Sequence, residues 1–339
     1  MHTINMSKYN LQTDLILEQI NDEVSKKIKK TKYEENSILV EKVKLLEDIN
    51  KYKKKKGDYI TITFKDITDK ENKENVLNIF QKELKELLED TNIKDNYSCL
   101  VIGLGNKNST PDALGPLVID KILVTRHIYI MKEPLEDGYR ITSKITPNVM
   151  GESGIETSDV IKGIINNTKP DFIIVIDALK ASNVDRVLST IQMTNTGINP
   201  GSGIGNKRKE LSSATLNIPV ISIGIPTIVD AASIVMDTIK YLFKKISYDK
   251  KNMNKNSNKL SINKNYINEE DTLNKNEKNM YFGLLGNLNE DELYKLFTEV
   301  LNPIGYNLMV TPKEIDFQLE KLSQLISEGI NKALHKSYK

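Results

Sequence analysis

The sequence has little cysteine, little histidine and no tryptophan. Among 339 residues there are one cysteine, three histidines and no tryptophan. A single cysteine excludes an internal disulfide framework and fits a reducing compartment. Because Cys99 lies inside an apolar run, we interpret it as a core residue rather than a nucleophile. His2 and His335 lie near the ends of the sequence, so His127 is the one histidine that we consider for a site.

The sequence also lacks long apolar runs and a clear excess of charge of one sign. No run approaches the roughly twenty apolar residues of a membrane span, and residues 1–12 lack the basic start and apolar core of a signal peptide. The 48 lysines and arginines nearly balance the 46 acids, giving a net charge of +2, which argues against general nucleic-acid binding. We therefore expect a soluble intracellular protein with no membrane partner and no direct nucleic-acid partner.

The most informative stretch is a short apolar run that breaks into glycines and then reaches an aspartate. Residues 100–104 are apolar without polar alternation and are too few for a helix, which is typical of a strand buried in a parallel sheet. Gly103 and Gly105 free the backbone at the end of this strand, where open α/β sheets bind their ligands. Asp112 follows, and its carboxylate either caps the next helix or points into a crevice.

A second apolar strand, over residues 169–178, is predicted to end at another acid, Asp177. If the two strands are neighbours, Asp112 and Asp177 face the same crevice. Like charges in a low-dielectric cleft cannot both ionise easily, so the pair would share one proton. The ionised acid could then activate water for attack on a peptide carbonyl without metal, serine or cysteine. Asp112 and Asp177 are the predicted catalytic residues.

Several motifs resemble the germination proteases of spore-forming bacteria, which are atypical aspartic endopeptidases. In the family's order they include Gly103-Leu-Gly-Asn106, Thr110-Pro-Asp-Ala-Leu-Gly-Pro116, Pro147-Asn-Val-Met-Gly151, Gly197-Ile-Asn-Pro-Gly-Ser-Gly203 and Gly224-Ile-Pro-Thr-Ile-Val-Asp230. With further blocks, the resemblance covers most of residues 97–243 and 281–335, together with residues 9–18. Blocks of this length are specific to a family.

The resemblance implies an endopeptidase that starts the degradation of small acid-soluble spore proteins during germination. It implies a self-processing zymogen in which residues 1–14 are a propeptide, removed at the Asp14–Leu15 bond, and residues 15–339 are the protease domain. It further implies a homotetramer that needs no cofactor or metal. The expected location is the cytoplasm of the forespore or spore core.

The repeated order of strand, acid and helix predicts an α/β protein. We expect a three-layer αβα sandwich with a twisted, largely parallel central sheet, similar in fold to the hydrogenase-maturation endopeptidases. Other predicted elements are a strand over 59–64, a helix over 73–88 and a last helix over 312–334. Residues 22–56 carry apolar positions at helical spacing and are interpreted as amphipathic surface structure. Residues 245–279 are rich in lysine and asparagine, which predicts a mobile insertion.

Two glycine-containing segments border the predicted crevice, one at residues 103–108 and one at 197–209. Neither has the spacing of a phosphate loop or a dinucleotide fingerprint, which argues against nucleotide binding. Their glycines would instead let an extended peptide approach main chain to main chain, with basic side chains attracting its acids. A loop over 151–156 forms a candidate rim. The predicted substrate-binding residues are Gly105, Asn106, Gly151, Glu156, Gly201, Gly203, Lys207 and Arg208.

Two alternatives remain open at this stage. A metal-dependent, maturation-type endopeptidase would use Asp112, Asp177 and His127 as ligands, although a structural hydrogen-bonding role is the simpler interpretation of His127. A noncatalytic binding module, acting at a sheet edge or linked to DNA, would need no acid pair. Asp230, a third acid near a strand end, is interpreted as a residue that begins a helix rather than as a catalytic group.

Overall fold

The computed structural model describes residues 13–20, 26–49, 54–201, 209–253, 272–301 and 308–338. These residues cluster into two compact units. The larger unit is drawn from residues 12–181, 185–228 and 311–339, and the smaller unit includes 182–184 and 229–310. In the part of the chain that the structure describes, none of the helices is long and apolar enough to cross a membrane.

The core of the larger unit is one mixed sheet with the strand order β1-β2-β3-β7-β8-β6-β4-β5. The strands are β1 Ile28–Glu35, β2 Ile38–Leu45, β3 Gly57–Thr63, β4 Cys99–Gly103, β5 Thr142–Ile145, β6 Phe172–Ala181, β7 Thr190–Thr194 and β8 Val220–Asp230. β4 pairs in parallel with β5 and β6. The pairs β1–β2, β2–β3, β3–β7 and β7–β8 are antiparallel. The α/β prediction is confirmed, and β4, β5 and β6 supply the parallel strands that it requires.

Helices cover both faces of this sheet. In the larger unit they are α1 Lys70–Asp90, α2 Leu114–Asp120, α3 Arg126–Ile130, α4 Met150–Ser153, α5 Thr157–Thr168, α6 Ser213–Leu216 and α10 Ile315–Leu334. Successive strand residues point to opposite faces. On one face, Val101 and Ile174 pack with residues of α1, α2 and α10. On the other, Leu100 and Ile173 pack with Ile161 of α5. This arrangement is the predicted sandwich of three layers.

β1 and β2 form a hairpin, so the amphipathic surface structure predicted for residues 22–56 from helical spacing is wrong over these strands. Asn36 and Ser37 make the two-residue connection with φ of 51° and 61°, a geometry that matches the twist of paired strands. Val40 and Val43 are both buried but lie in different clusters, because β2 is covered on one face near its start and on the other near its end. Their spacing of three therefore imitates a helix.

The smaller unit contains α7 Ala231–Asn252, α8 Lys275–Phe282 and α9 Glu290–Leu301, and β9 Met309–Val310 pairs with the last two residues of β8. Asp230 occupies the N-cap of α7, where its carboxylate accepts a hydrogen bond of 2.8 Å from the amide of Ser233. The interpretation of Asp230 as a residue that begins a helix is confirmed.

α7 extends into the predicted insertion, because residues 245–252 are helical. The aromatic ring of Phe243 packs edge-on against Phe282 with centroids 4.9 Å apart. This contact holds α7 near the point where its composition turns polar. Residues 254–271 lie outside the described residues, so the mobility of the insertion stays a prediction there.

A buried histidine in the larger unit makes stability depend on pH. His335 is fully buried, and its Nδ1 accepts a hydrogen bond of 3.1 Å from the backbone N–H of Arg140. Burial, with a smaller contribution from the nearby Arg140 guanidinium, lowers the pKa of His335 from 6.5 to about 4. The folded protein therefore holds this imidazole neutral at pH values where the unfolded chain binds a proton.

We expect the free energy of unfolding to fall as the pH drops from about 6.5 to about 4. His335 contributes on the order of 3 kcal/mol to this fall, because only the unfolded state is protonated in that interval. Urea unfolding of wild type and His335→Gln at several pH values measures it. The variant should lose part of the pH dependence, whereas His127→Gln, which changes an exposed histidine, should retain it. Equal pH dependence in wild type and His335→Gln would contradict this role.

Candidate active site

Asp112 lies in a tight turn, Thr110–Asp112, between β4 and α2. The amide of Asp112 donates a hydrogen bond of 2.8 Å to the carbonyl of Ser109, which closes the turn. Ala113 takes the N-cap position of α2, and no side chain of that position makes a capping hydrogen bond. Asp112 therefore does not occupy the capping position that the sequence left open as its simpler role.

Gly105 and Asn106 fix the backbone of Asp112. Gly105 has φ of +113°, and a Cβ at this position would lie only 2.0 Å from the carbonyl oxygen of Asp112, so a side chain cannot be accommodated there. The Asn106 amide donates a hydrogen bond of 3.1 Å to the same oxygen. The Asn106 side chain accepts a hydrogen bond from the amide of Asn108 at 2.7 Å. The structure thus brings two predicted substrate-binding residues together with Asp112, and both shape its loop.

A buried threonine on β8 also holds the turn. The hydroxyl of Thr227 donates a hydrogen bond of 2.6 Å to the carbonyl of Pro111, the residue before Asp112. The hydroxyl of Thr311 in turn donates to the carbonyl of Thr227 at 2.9 Å. No sequence pattern marks Thr227, because its importance depends on which loop crosses β8.

Asp177 lies within β6 and is 6% exposed. The prediction that the strand ends at Asp177 is wrong, because Leu179 and Ala181 extend it by packing against Leu15. In the parallel pairing Gly103 lies opposite Ile176, so Asp177 lies beside the point where the chain leaves β4.

The turn that carries Asp112 packs against β6. Both predicted acids therefore lie at the carboxyl edge of two neighbouring parallel strands, where this class of sheet binds ligands.

His127 does not join this pair in a metal-binding cluster. His127 lies on α3 and is exposed. Across the described residues, no group of three or more histidine, cysteine, aspartate or glutamate side chains is arranged to hold a metal ion. The ligand set of the metal-dependent alternative is not gathered in this part of the chain.

The predicted rim at residues 151–156 is more regular than expected. Gly151 lies in the short helix α4 rather than in a loop, and Gly154, with φ of +71°, ends that helix. Glu156 takes the N-cap position of α5. The side-chain Nδ2 of Asn108 donates a hydrogen bond of 3.3 Å to the Glu152 carboxylate, so α4 lies beside the loop that follows β4. This contact keeps Gly151 near the candidate site.

The second glycine segment is described only in part. Gly201 has φ of +69°, a left-handed conformation that favours glycine. Gly203, Lys207 and Arg208 lie outside the described residues, and their substrate-binding role stays a prediction. The neighbouring Lys209 forms an ion pair of 2.9 Å with Asp159.

The predicted processing site is partly buried. The amide of Asp14 donates to the carbonyl of Lys180 at 3.0 Å, and the amide of Lys180 donates to the Asp14 carboxylate at 2.9 Å. Leu15 has no exposed surface and packs against Leu179. Leu179 and Asp177 lie two residues apart on β6, roughly 7 Å, and so point to the same face of the strand. The Asp14–Leu15 bond is thus seated on the strand that carries Asp177.

Lys54 and Gln192 are polar neighbours of this bond that the sequence analysis missed. Lys54 belongs to a run of four lysines that is typical of a solvated turn, yet its Nζ lies 2.6 Å from the carbonyl oxygen of Asp14. Burial lowers the pKa of the Lys54 ammonium, and the carboxylates of Asp14 and Glu18 oppose this shift. No pattern in the sequence distinguishes Lys54 from its neighbours.

Comparison with known proteins identifies the family. The model of the germination protease family matches residues 5–339. The chain belongs to the germination protease family. Germination proteases of Bacillus mycoides (strain KBAB4) and Bacillus cereus (strain ATCC 10987) are each 47% identical to it over 98% of this chain and 95% of theirs. That of Bacillus thuringiensis subsp. konkukian is 46% identical with the same coverage. The resemblance stated from the motifs is confirmed, and the protein is a protease, a hydrolase of peptide bonds.

One solved structure of a different protease is similar in part. The match to a nickel–iron hydrogenase maturation protease from Thermococcus kodakarensis covers 42% of this chain and 80% of that protein. The sequence identity is 16% and the TM-score is 0.27. The fold assignment rests on the sheet and its covering helices rather than on this partial likeness.

Proposed function

We propose that this germination protease family member is the endopeptidase that starts the breakdown of small acid-soluble spore proteins, and that Asp112 and Asp177 activate its water. The observation that carries the proposal is the placement of both acids at the carboxyl edge of β4 and β6. Family membership supports the reaction class. The location in the forespore or spore core and the homotetrameric state stay predictions.

In the proposed mechanism the pair shares one proton. The ionised aspartate takes a proton from water as the oxygen attacks the carbonyl carbon, and the protonated aspartate donates to the carbonyl oxygen. When the tetrahedral intermediate collapses, the carbon–nitrogen bond breaks and the leaving nitrogen takes up a proton. One water is consumed for each bond cut.

The proposal includes control by the N-terminal segment. Residues 1–14 would be a propeptide, and the same aspartate pair would cut the Asp14–Leu15 bond. Support comes from the position of Leu15 against Leu179, on the face of β6 that carries Asp177.

The function is tested by incubating a chain that begins at Leu15 with a small acid-soluble spore protein and identifying the fragments by mass. We expect a few defined internal cuts, and activity that survives a strong chelator. No cleavage, or trimming from the ends alone, would contradict the proposal. Loss of activity on chelation, with recovery on addition of metal, would instead support the alternative site of Asp112, Asp177 and His127.

Thr227 offers a test of how Asp112 is positioned. Thr227→Val keeps the shape of the side chain but removes the hydroxyl that holds Pro111. We expect kcat to fall at least about tenfold, because a small displacement of a reacting group is costly, while KM and the thermal midpoint change little. Thr227→Ser retains the donor and should keep most of the activity. Equal kcat in Thr227→Val and wild type would show that this hydrogen bond does not position Asp112.

A further inference from the structure

Gln192 contacts the main chain on both sides of the Asp14–Leu15 bond. Its Nε2 donates a hydrogen bond of 3.0 Å to the carbonyl oxygen of Asp14. Its Oε1 accepts a hydrogen bond of 2.8 Å from the amide of Ile16. Gln192 lies on β7 and is 6% exposed. Because an amide side chain offers a donor and an acceptor together, it can hold one peptide segment at two points, which an apolar residue of the same length cannot do.

Lys54 adds a charged donor to the same oxygen, at 2.6 Å. Its own backbone is fixed, since the amides of Lys54 and Ile49 each donate to the other's carbonyl, at 3.2 and 2.8 Å. A hydrogen bond from a charged donor is stronger than one between neutral groups. The Asp14 carbonyl is thus held by two donors, one from β7 and one from the connection between β2 and β3.

The residues after Asp14 are anchored as well. Leu15 and Ile16 are both fully buried. Leu15 packs against Leu179 and Ala181 of β6, whereas Ile16 packs in a different cluster with Val43 and other residues of β2. The two residues that follow Asp14 are therefore buried in two different clusters of the protein.

We propose that Lys54 and Gln192 form a clamp that holds the peptide unit between Asp14 and Leu15 in its seat, and that this clamp must open before the bond is cut. The second half of this inference rests on the proposed self-processing at Asp14–Leu15, whereas the first half does not.

The chemistry of hydrolysis requires this opening. Water must add to the carbonyl carbon of Asp14, after which the bond to the nitrogen of Leu15 breaks and leaves a carboxylate and an amine. A carbonyl whose oxygen is held by two donors, and whose next two side chains are buried, offers a poor path to water and to the aspartate pair. Release of the clamp gives the segment the freedom to reach both.

The clamp itself is tested in full-length protein carrying Asp177→Asn, so that self-processing does not interfere. Lys54→Met and Gln192→Met preserve side-chain length and remove the polar atoms. We expect amide hydrogen exchange at Ile16 to quicken at least about tenfold in Gln192→Met. In both variants an added protease specific for bonds after acids should cut Asp14–Leu15 at least about tenfold faster. Lys44→Met is the matched control, because Lys44 is 58% exposed and pairs only with Asp58 among the described ion pairs.

The clamp would be overturned if both variants fold and show the same amide hydrogen exchange at Ile16, and the same rate of cutting by the added protease, as the protein without these substitutions. Should Gln192→Met fail to fold, Lys54→Met carries the same test through the cutting rate.

The consequence for processing is tested in the same variants with Asp177 intact. Faster appearance of the chain beginning at Leu15, at least about tenfold in Lys54→Met, supports opening as the controlling step. Slower appearance would overturn it, because the two donors would then stabilise the oxyanion that forms in the reaction. A third outcome is faster amide hydrogen exchange in the variants, with no self-cleavage in either the variants or the wild type. That outcome would contradict the proposed processing but would still support the clamp.

Discussion

Replacing Asp112 or Asp177 by asparagine is expected to abolish peptide cleavage while leaving the fold intact. Each substitution removes one half of a pair that must hold a single proton between two oxygens, so neither the base nor the acid can be supplied. We expect kcat/KM to fall at least about a thousandfold in each variant. The measurement is cleavage of a small acid-soluble spore protein by chains that begin at Leu15.

The matched control is Asp120→Asn, which changes an aspartate on the helix that follows Asp112. Asp120 is 54% exposed and pairs with Lys107 at 2.7 Å, an arrangement that contributes little to stability. Asp230→Asn should also retain activity with little loss of stability, because asparagine caps a helix about as well as aspartate. Near-normal turnover in Asp112→Asn or Asp177→Asn, with unchanged circular dichroism, would remove that residue from the mechanism.

Full-length protein is expected to be nearly inactive, and a chain that begins at Leu15 is expected to be active at neutral pH. A protease kept beside its substrate must be held off until it is needed, and the segment around Asp14 is seated on the strand that carries Asp177. Asp112→Asn should stop the conversion, because the same pair cuts this bond. The appearance of the Leu15 terminus, followed by mass, measures the conversion against time.

This conversion should quicken as the pH falls from neutral to mildly acidic values. One acid of the pair must be protonated for the cut, and acidification raises the fraction of molecules in that state. Equal activity of the full-length chain and the chain beginning at Leu15, measured before any cleavage, would rule out the zymogen while leaving the protease assignment in place.

The sequence predicted well those helices in which the apolar residues form a single stripe along one face. The helix expected over 73–88 is α1, and the helix expected over 312–334 is α10. Each has a single apolar stripe facing one side of the sheet. The glycines and the acid at 103–112 also predicted the strand and the turn, because turn geometry at Gly105 and Pro111 is a local property.

The parts that could not be predicted depend on contacts between distant segments. β6 continues past Asp177 because Leu15 covers its far end, and nothing within residues 169–178 indicates that cover. Lys54 resembles three neighbouring lysines until Asp14 is placed against it. Thr227 becomes a support of the site only when Pro111 crosses β8. In each case the partner is remote in sequence, and the local pattern carries no information about it.

The claim that Asp112 and Asp177 act as one unit is tested most directly by combining the two substitutions. kcat/KM is measured for both single variants and for the double variant Asp112→Asn/Asp177→Asn, with unfolding curves to show that all three are folded. When two groups act as a unit, removing either one already abolishes their joint contribution. The double variant should therefore have a kcat/KM no lower than that of the slower single variant. A loss in the double variant equal to the product of the two single losses would show that the aspartates act independently and would contradict the shared-proton mechanism.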